Sequence, residues 1–192
     1  MAQARLTLIS ILLMISTIST ASPEQTVDSF HLALVKSMQV DSALTRKTII
    51  DEAIGNHFNV QTIARISLGR NWRTLDSEKQ SAYIALMTEL ISSSYTSRFN
   101  NYDGQTFVIV ESSSIASNRT RVKSVLNTNS EVVNLDYQLL TRNDTWRIYD
   151  IVANGVSDLS LKRSNYAALF ASGGLEAVIA DIRDSINKNQ EI

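Results

Sequence analysis

Residues 132–157, VVNLDYQLLTRNDTWRIYDIVANGVS, constrain the fold more than any other stretch of this chain. Val133, Leu135, Tyr137 and Leu139 alternate with Asn134, Asp136 and Gln138. That is the period of a strand with one buried face. Arg142-Asn143-Asp144 supplies a turn of the residue types that tight hairpins favour. Trp146 and Ile148 continue on the return strand, and Gly155-Val156-Ser157 forms its exit. Nothing in the run is a catalytic motif, so the feature to explain is its apolar face.

The same period extends upstream. Residues 107–110 are a short continuous apolar run, and Val122, Ser124 and Leu126 alternate with Arg121, Lys123 and Val125. About four strands at hairpin spacing predict an antiparallel sheet. Helical periods flank it. Val27, Phe30, Leu34 and Met38 mark a helix over 23–39, and Leu44, Ile49 and Ile50 mark a second over 42–53, which Gly55-Asn56 should break. Asn59 can cap a third helix that Gly69 closes. Asp76 can cap a long fourth helix with Tyr83, Ile84, Met87, Leu90, Ile91 and Tyr95 on one face. After Ser157 the period returns over 159–170, breaks at Gly173-Gly174, and resumes in a last helix. Helices, a strand meander, then helices reads as an α+β fold with helices packed on the sheet.

The first 21 residues are expected to be a secretory signal peptide, and residues 22–192 a single domain. Arg5 provides the positive end, 6–18 the apolar region, and Ser19-Thr20-Ala21 the small residues before cleavage after Ala21. With Arg5 set aside, the 18 basic residues drop to 17 against 19 acidic ones, a net charge of −2. No basic footprint for nucleic acid results. The chain has no cysteine, hence no disulfide and no thiol nucleophile.

Few residues suggest chemistry. His31 and His57 fall on separate elements without a Cys partner, and His57 sits in an Asn-His-Phe break that reads as a solvated loop. No metal site and no cofactor is expected. Ser157 reads as the N-cap of the following helix. Asp150 shares parity with Trp146 and Ile148 and so should point inward. It is either a general base with a raised pKa or an acceptor of backbone N–H groups that holds the exit of the sheet. Tyr137, with Tyr149 on the neighbouring strand, is a formal acid–base candidate. Tyr83, Met87, Ile91 and Tyr95 on the long helix can face Leu135, Leu139, Trp146 and Ile148 on the sheet. Composition leaves a filled core and a ligand cavity both open.

Three blocks carry a resemblance. Residues 66–73, ISLGRNWR, are similar to the Leu-Gly-x-x-Trp block of the MlaC-like periplasmic phospholipid carriers, the toluene-tolerance auxiliary family. Residues 95–102 resemble that family's Tyr-x-x-x-Leu-x-x-Tyr helix end, with Phe99 in place of Leu. Residues 146–151, WRIYDI, followed by Gly155-Val156-Ser157, look like its Trp-x-Val-Tyr-Asp-Val…Gly-Val-Ser signature. Residues 158–166 depart from it, with Leu161, Lys162 and Arg163 where the family typically has Asn-Tyr-Arg, so that only Arg163 matches, and the run lies closer to the hopanoid-associated HpnM branch.

The resemblance implies an NTF2-like fold with a lipid pocket between sheet and helices, and a periplasmic location. It implies a phospholipid or hopanoid ligand, an inner-membrane ABC transporter with its MCE-domain partner, and an outer-membrane lipoprotein complex. On this reading the pocket is lined by Tyr83, Met87, Ile91, Tyr95, Leu135, Tyr137, Leu139, Trp146, Ile148, Val156, Tyr166 and Phe170. Arg70, Arg73 and Arg163 are its candidate rim cations. The competing readings are a small enzyme using Asp150 or Tyr137, and an adaptor with a filled core.

Overall fold

The computed structural model describes residues 21–191, so the expected signal segment lies outside the described residues except for Ala21. The elements run α1 Pro23–Met38, α2 Ala43–His57, α3 Val60–Leu68, a 3-10 helix Gly69–Thr74, α4 Ser77–Arg98, β1 Thr106–Ala116, β2 Arg119–Asn127, β3 Val132–Arg142, β4 Thr145–Ala153, β5 Val156–Ser157 and α5 Asp158–Gln190. The fold is α+β, with the strands in a curved, open antiparallel meander ordered β1-β2-β3-β4-β5.

Local chemistry sets most element ends. The Ser22 side chain accepts from the Gln25 N–H, and the Gln25 side chain accepts from the Ser22 N–H, a reciprocal cap that opens α1. The side chains of Asn59, Asp76 and Ser157 cap α3, α4 and α5 without that reciprocity, accepting from the N–H groups of Thr62, Lys79 and Ser160. Gly69, at φ 57°, ends α3 in a conformation that L side chains avoid. Asn143 and Asp144, at φ 49° and 57°, make the two-residue turn that matches the twist of the β3–β4 hairpin.

Two expectations about local structure fail. Helix α2 runs through Gly55-Asn56 to His57, so His57 is a half-buried helical residue, not a solvated loop residue. The glycine costs about 1 kcal/mol of helix propensity. Tertiary contacts offset it: Ile54 is fully buried, and the Asn59 N–H bonds the Ile148 carbonyl of β4 at 2.8 Å, docking the helix end on the sheet. Strand β1 also extends well past residue 110, because pairing with β2 satisfies the backbone of its serine-rich half. The expected break at Gly173-Gly174 is present as non-helical backbone inside α5.

The helices cover one face of the sheet. Val122 of β2 pairs with Tyr137 of β3, and Tyr137 with Ile151 of β4. Val122, Tyr137 and Leu139 are buried on that face, and the helix residues Phe30, Leu34, Ile50, Ile54 and Met87 complete the core. A register shift between Gln138 and Leu139 leaves one extra residue on β4, so Leu139 pairs with Ile148 and Gln138 with Asp150. That bulge changes the parity of the strand. From Ile148 onward the residue paired with a buried β3 side chain is Ile151, so the parity expected for Asp150 does not hold, yet Asp150 is half-buried all the same.

Two glycine substitutions test these assignments in opposite directions. Gly55→Ala should stabilise by about 0.5–1 kcal/mol, because the site is helical and an added Cβ meets nothing within 4 Å. Gly174→Ala should cost about 1–3 kcal/mol, because φ 67°, ψ −159° is a region that only glycine occupies readily. Urea denaturation of the two variants reads both signs.

Candidate functional site

The helix layer and the sheet do not close on each other along their whole length. At the end where β1 and β3 begin and β2 and β4 finish, they enclose an open cavity of about 490 Å³. That volume is within the range of small-molecule sites, roughly 300–1,000 Å³. Leu34, Met38, Phe58 and Ile63 line it from α1 to α3, and Met87, Leu90, Ile91, Tyr95 and Phe99 from α4. The sheet contributes Phe107, Leu126, Val133, Leu135, Tyr137 and Ile151. Leu159 lines it from α5, and the exposed Val156, Arg98, Glu131 and Asp158 border its entrance with the half-exposed Lys162.

Six residues expected from sequence line this space: Met87, Ile91, Tyr95, Leu135, Tyr137 and Val156. Six lie elsewhere. Tyr83, Leu139, Ile148 and Tyr166 are buried in the filled part of the core, where Tyr83 shares a 2.9 Å hydrogen bond with Ser67. Trp146 is half-buried beside a separate crevice of about 220 Å³ formed with Gln25 and His57, and Phe170 is half-buried on α5 outside the cavity. The apolar stripes of α4 and the hairpin are longer than the cavity, so their far halves serve packing. Arg70, Arg73 and Arg163 are exposed and do not line the entrance; its cations are Arg98 and Lys162. Phe58, Phe99, Phe107, Leu126 and Val133 escaped the sequence reading. Strand parity was available for Leu126 and Val133, but which end of the sheet stays open depends on the tertiary packing.

Most polar groups near the cavity are occupied structurally; the buried exception is the second carboxylate oxygen of Asp150, which has no partner among the described residues. Tyr137 is 1% exposed, and its hydroxyl shares a 2.9 Å hydrogen bond with His31 Nε2, whose ring stacks on Phe107 at 4.4 Å. Burial raises the Tyr137 pKa well above 10, and the neighbouring Tyr95 adds to the shift. Tyr149 is not its partner; it stands at the bulge with the Arg119 guanidinium 6.0 Å from its ring centre. Asp150 accepts a 2.8 Å bond from Ser157 Oγ, which in turn caps α5. Burial is the main cause of its raised pKa. Asp150 therefore ties the end of β4 to the start of α5. Among the described residues no three metal-ligating side chains gather, and no helix is long and apolar enough to cross a membrane.

The family model described as MlaC protein matches residues 19–184. This chain belongs to the MlaC family. An intermembrane phospholipid transport system binding protein MlaC from Haemophilus influenzae is 21% identical over 147 residues, spanning 74% of this chain and 69% of that one. A phospholipid-binding protein from Ralstonia solanacearum, solved in complex with a phospholipid, shares the fold with a TM-score of 0.79. Its identity is 20%, over 88% of this chain and 99% of that chain.

Within this MlaC-family chain the three sequence blocks have distinct physical roles. In the first, Gly69 closes α3 and Trp72 is buried against Tyr83, their ring centres 6.4 Å apart. In the second, Tyr95 and Phe99 stack at 5.8 Å and line the cavity. The third carries the β4 bulge and the Asp150–Ser157 link.

His31 makes the site pH-sensitive in a defined direction. Burial lowers its pKa to about 4, below the ~6.5 of an unfolded chain. Between those values the unfolded state binds more protons. Stability is thus complete above about pH 7 and falls as the pH drops through ~6.5 toward ~4, by an amount on the order of 3 kcal/mol. Denaturation midpoints of the parent and His31→Gln across this window should differ in slope, the variant being flatter. The raised pKa of Asp150 acts with the opposite sign in both proteins and cancels in the comparison.

Proposed function

We propose that this protein is a periplasmic carrier that holds the acyl chains of a phospholipid in the cavity and leaves the headgroup at its mouth. The observation that carries this reading is an apolar cavity open at one end, in a fold shared with a protein solved with phospholipid bound. The physical requirement is simple. Each methylene kept out of water contributes about 0.8 kcal/mol, so a 14-methylene chain costs on the order of 11 kcal/mol to leave in solvent. A carrier must enclose that chain, while the headgroup can remain hydrated. Neither a nucleophile nor a cofactor is needed for the task.

The export signal read in residues 1–21 supports the periplasmic assignment. Family membership supports delivery between an inner-membrane ABC transporter with its MCE-domain partner and an outer-membrane lipoprotein complex. The run 158–166 keeps a hopanoid-type lipid as the second reading. Against the enzyme reading, Tyr137 is 1% exposed with its hydroxyl bonded to His31, and one Asp150 oxygen is bonded to the Ser157 that caps α5.

Organic extraction of the purified protein, followed by mass spectrometry, should release phospholipid near one molecule per chain; a polycyclic lipid in its place would select the hopanoid reading. Ile91→Trp, which puts an indole into the cavity from α4, should lower lipid recovery several-fold with the fold intact by circular dichroism. Protein that carries no lipid and takes none from vesicles would defeat the carrier reading.

A further inference from the structure

The cavity mouth carries charges of both signs, and two exposed ones have no partner among the described residues. Lys162 is held by Asp158 at 3.4 Å, and one oxygen of Asp150 is held by Ser157 while the other is buried away from solvent. The remaining pair is Arg98, in the last turn of α4, and Glu131, in the turn between β2 and β3. Both side chains are exposed, both border the cavity, and neither makes an ion pair or side-chain hydrogen bond among the described residues. One belongs to the helix wall and the other to the sheet wall.

The backbone at Glu131 is held in place. Its N–H bonds Thr128 Oγ1 at 3.0 Å, its carbonyl accepts the Thr128 N–H at 2.9 Å, and Asn129 Nδ2 ties the turn to the Asp103 carbonyl at 2.9 Å. The carboxylate is therefore presented from a braced turn. The guanidinium of Arg98 is presented from a helix end, at which the Phe99 N–H bonds the Tyr95 carbonyl at 2.9 Å.

We propose that this mouth selects a zwitterionic headgroup, a phosphate diester joined to an ammonium, over a net-anionic one. Arg98 takes the phosphate and Glu131 takes the ammonium. The inference rests on the carrier reading, since the lipid tails in the cavity bring the headgroup between the two walls. A lipid ending in glycerol offers the same phosphate to Arg98 but only neutral hydroxyls to Glu131, and an ammonium–carboxylate contact is the stronger bond. Because both side chains are exposed, the preference is modest, about two- to fivefold.

The test uses delipidated protein and vesicles containing equal amounts of phosphatidylethanolamine and phosphatidylglycerol with identical acyl chains. Both lipids share one bilayer, so the surface charge the protein meets is the same for each. The loaded protein is reisolated and extracted, and the two lipids are quantified. The parent should be enriched in the ethanolamine lipid. Glu131→Gln should bring the ratio to that of the vesicle, and Arg98→Gln should reduce uptake of both lipids, with thermal melts showing that each variant folds. A parent that loads fully at the vesicle ratio overturns the headgroup inference and leaves the carrier reading standing. An enrichment that persists in Glu131→Gln also overturns it. A parent that takes up neither lipid overturns both.

Discussion

The packing around Phe30 divides this molecule into a filled half and an open half. Its side chain has no exposed surface, and its ring centre lies 5.0 Å from that of Phe58, 5.2 Å from Tyr95 and 6.4 Å from Tyr137 in edge-on or near edge-on contacts. Such pairs contribute about 0.5–1.5 kcal/mol each beyond the area they bury. Phe58, Tyr95 and Tyr137 also line the cavity, so one aromatic cluster is both core and floor. It ties together α1, the end of α2, α4 and β3. The rings form the floor against which the open half of the helix–sheet gap ends.

The remaining walls follow from how the sheet ends. The β4 bulge turns Ile151 toward the layer that holds Tyr137 and leaves Asp150 beside Gln138. Asp150 can then accept from Ser157, and Ser157 from the Ser160 N–H, so the strand, the short β5 pairing and the start of α5 are linked by two side chains. Gly155, at φ 82°, makes the reversal that this link requires. The entrance is thereby bordered on one side by the first turn of α5. A carboxylate that looked like a possible base acts as the fastening for that border.

Much of the fold was legible because its signals are local. The caps at Asn59, Asp76 and Ser157, the Gly69 stop, the Asn143-Asp144 turn and the Gly173-Gly174 break all depend on a few neighbouring atoms. The end of α2 was not legible, because the burial of Ile54 and the bond from Asn59 to Ile148 are contacts with distant chain. The site was half legible for a related reason. An apolar stripe shows which face is covered but not where along it the cover lifts away. Tyr83 and Met87 share a face of α4, yet only Met87 reaches the cavity. On the hairpin, Leu135 and Leu139 share a face, yet Leu139 is sealed against Ile148.

The sequence by itself determined the class of fold, the helix and strand order, the caps and turns, and the apolar face that a lipid-sized cavity needs. These follow from periodicity and from side chains acting within a few residues of themselves. Only the tertiary structure decided where that face opens, which residue of β4 is the extra one, that His31 is buried against Tyr137, and that the entrance cations are Arg98 and Lys162 rather than Arg70, Arg73 and Arg163. A bulge or a cavity is a mismatch between surfaces that meet only after folding, and no single stretch of chain contains it.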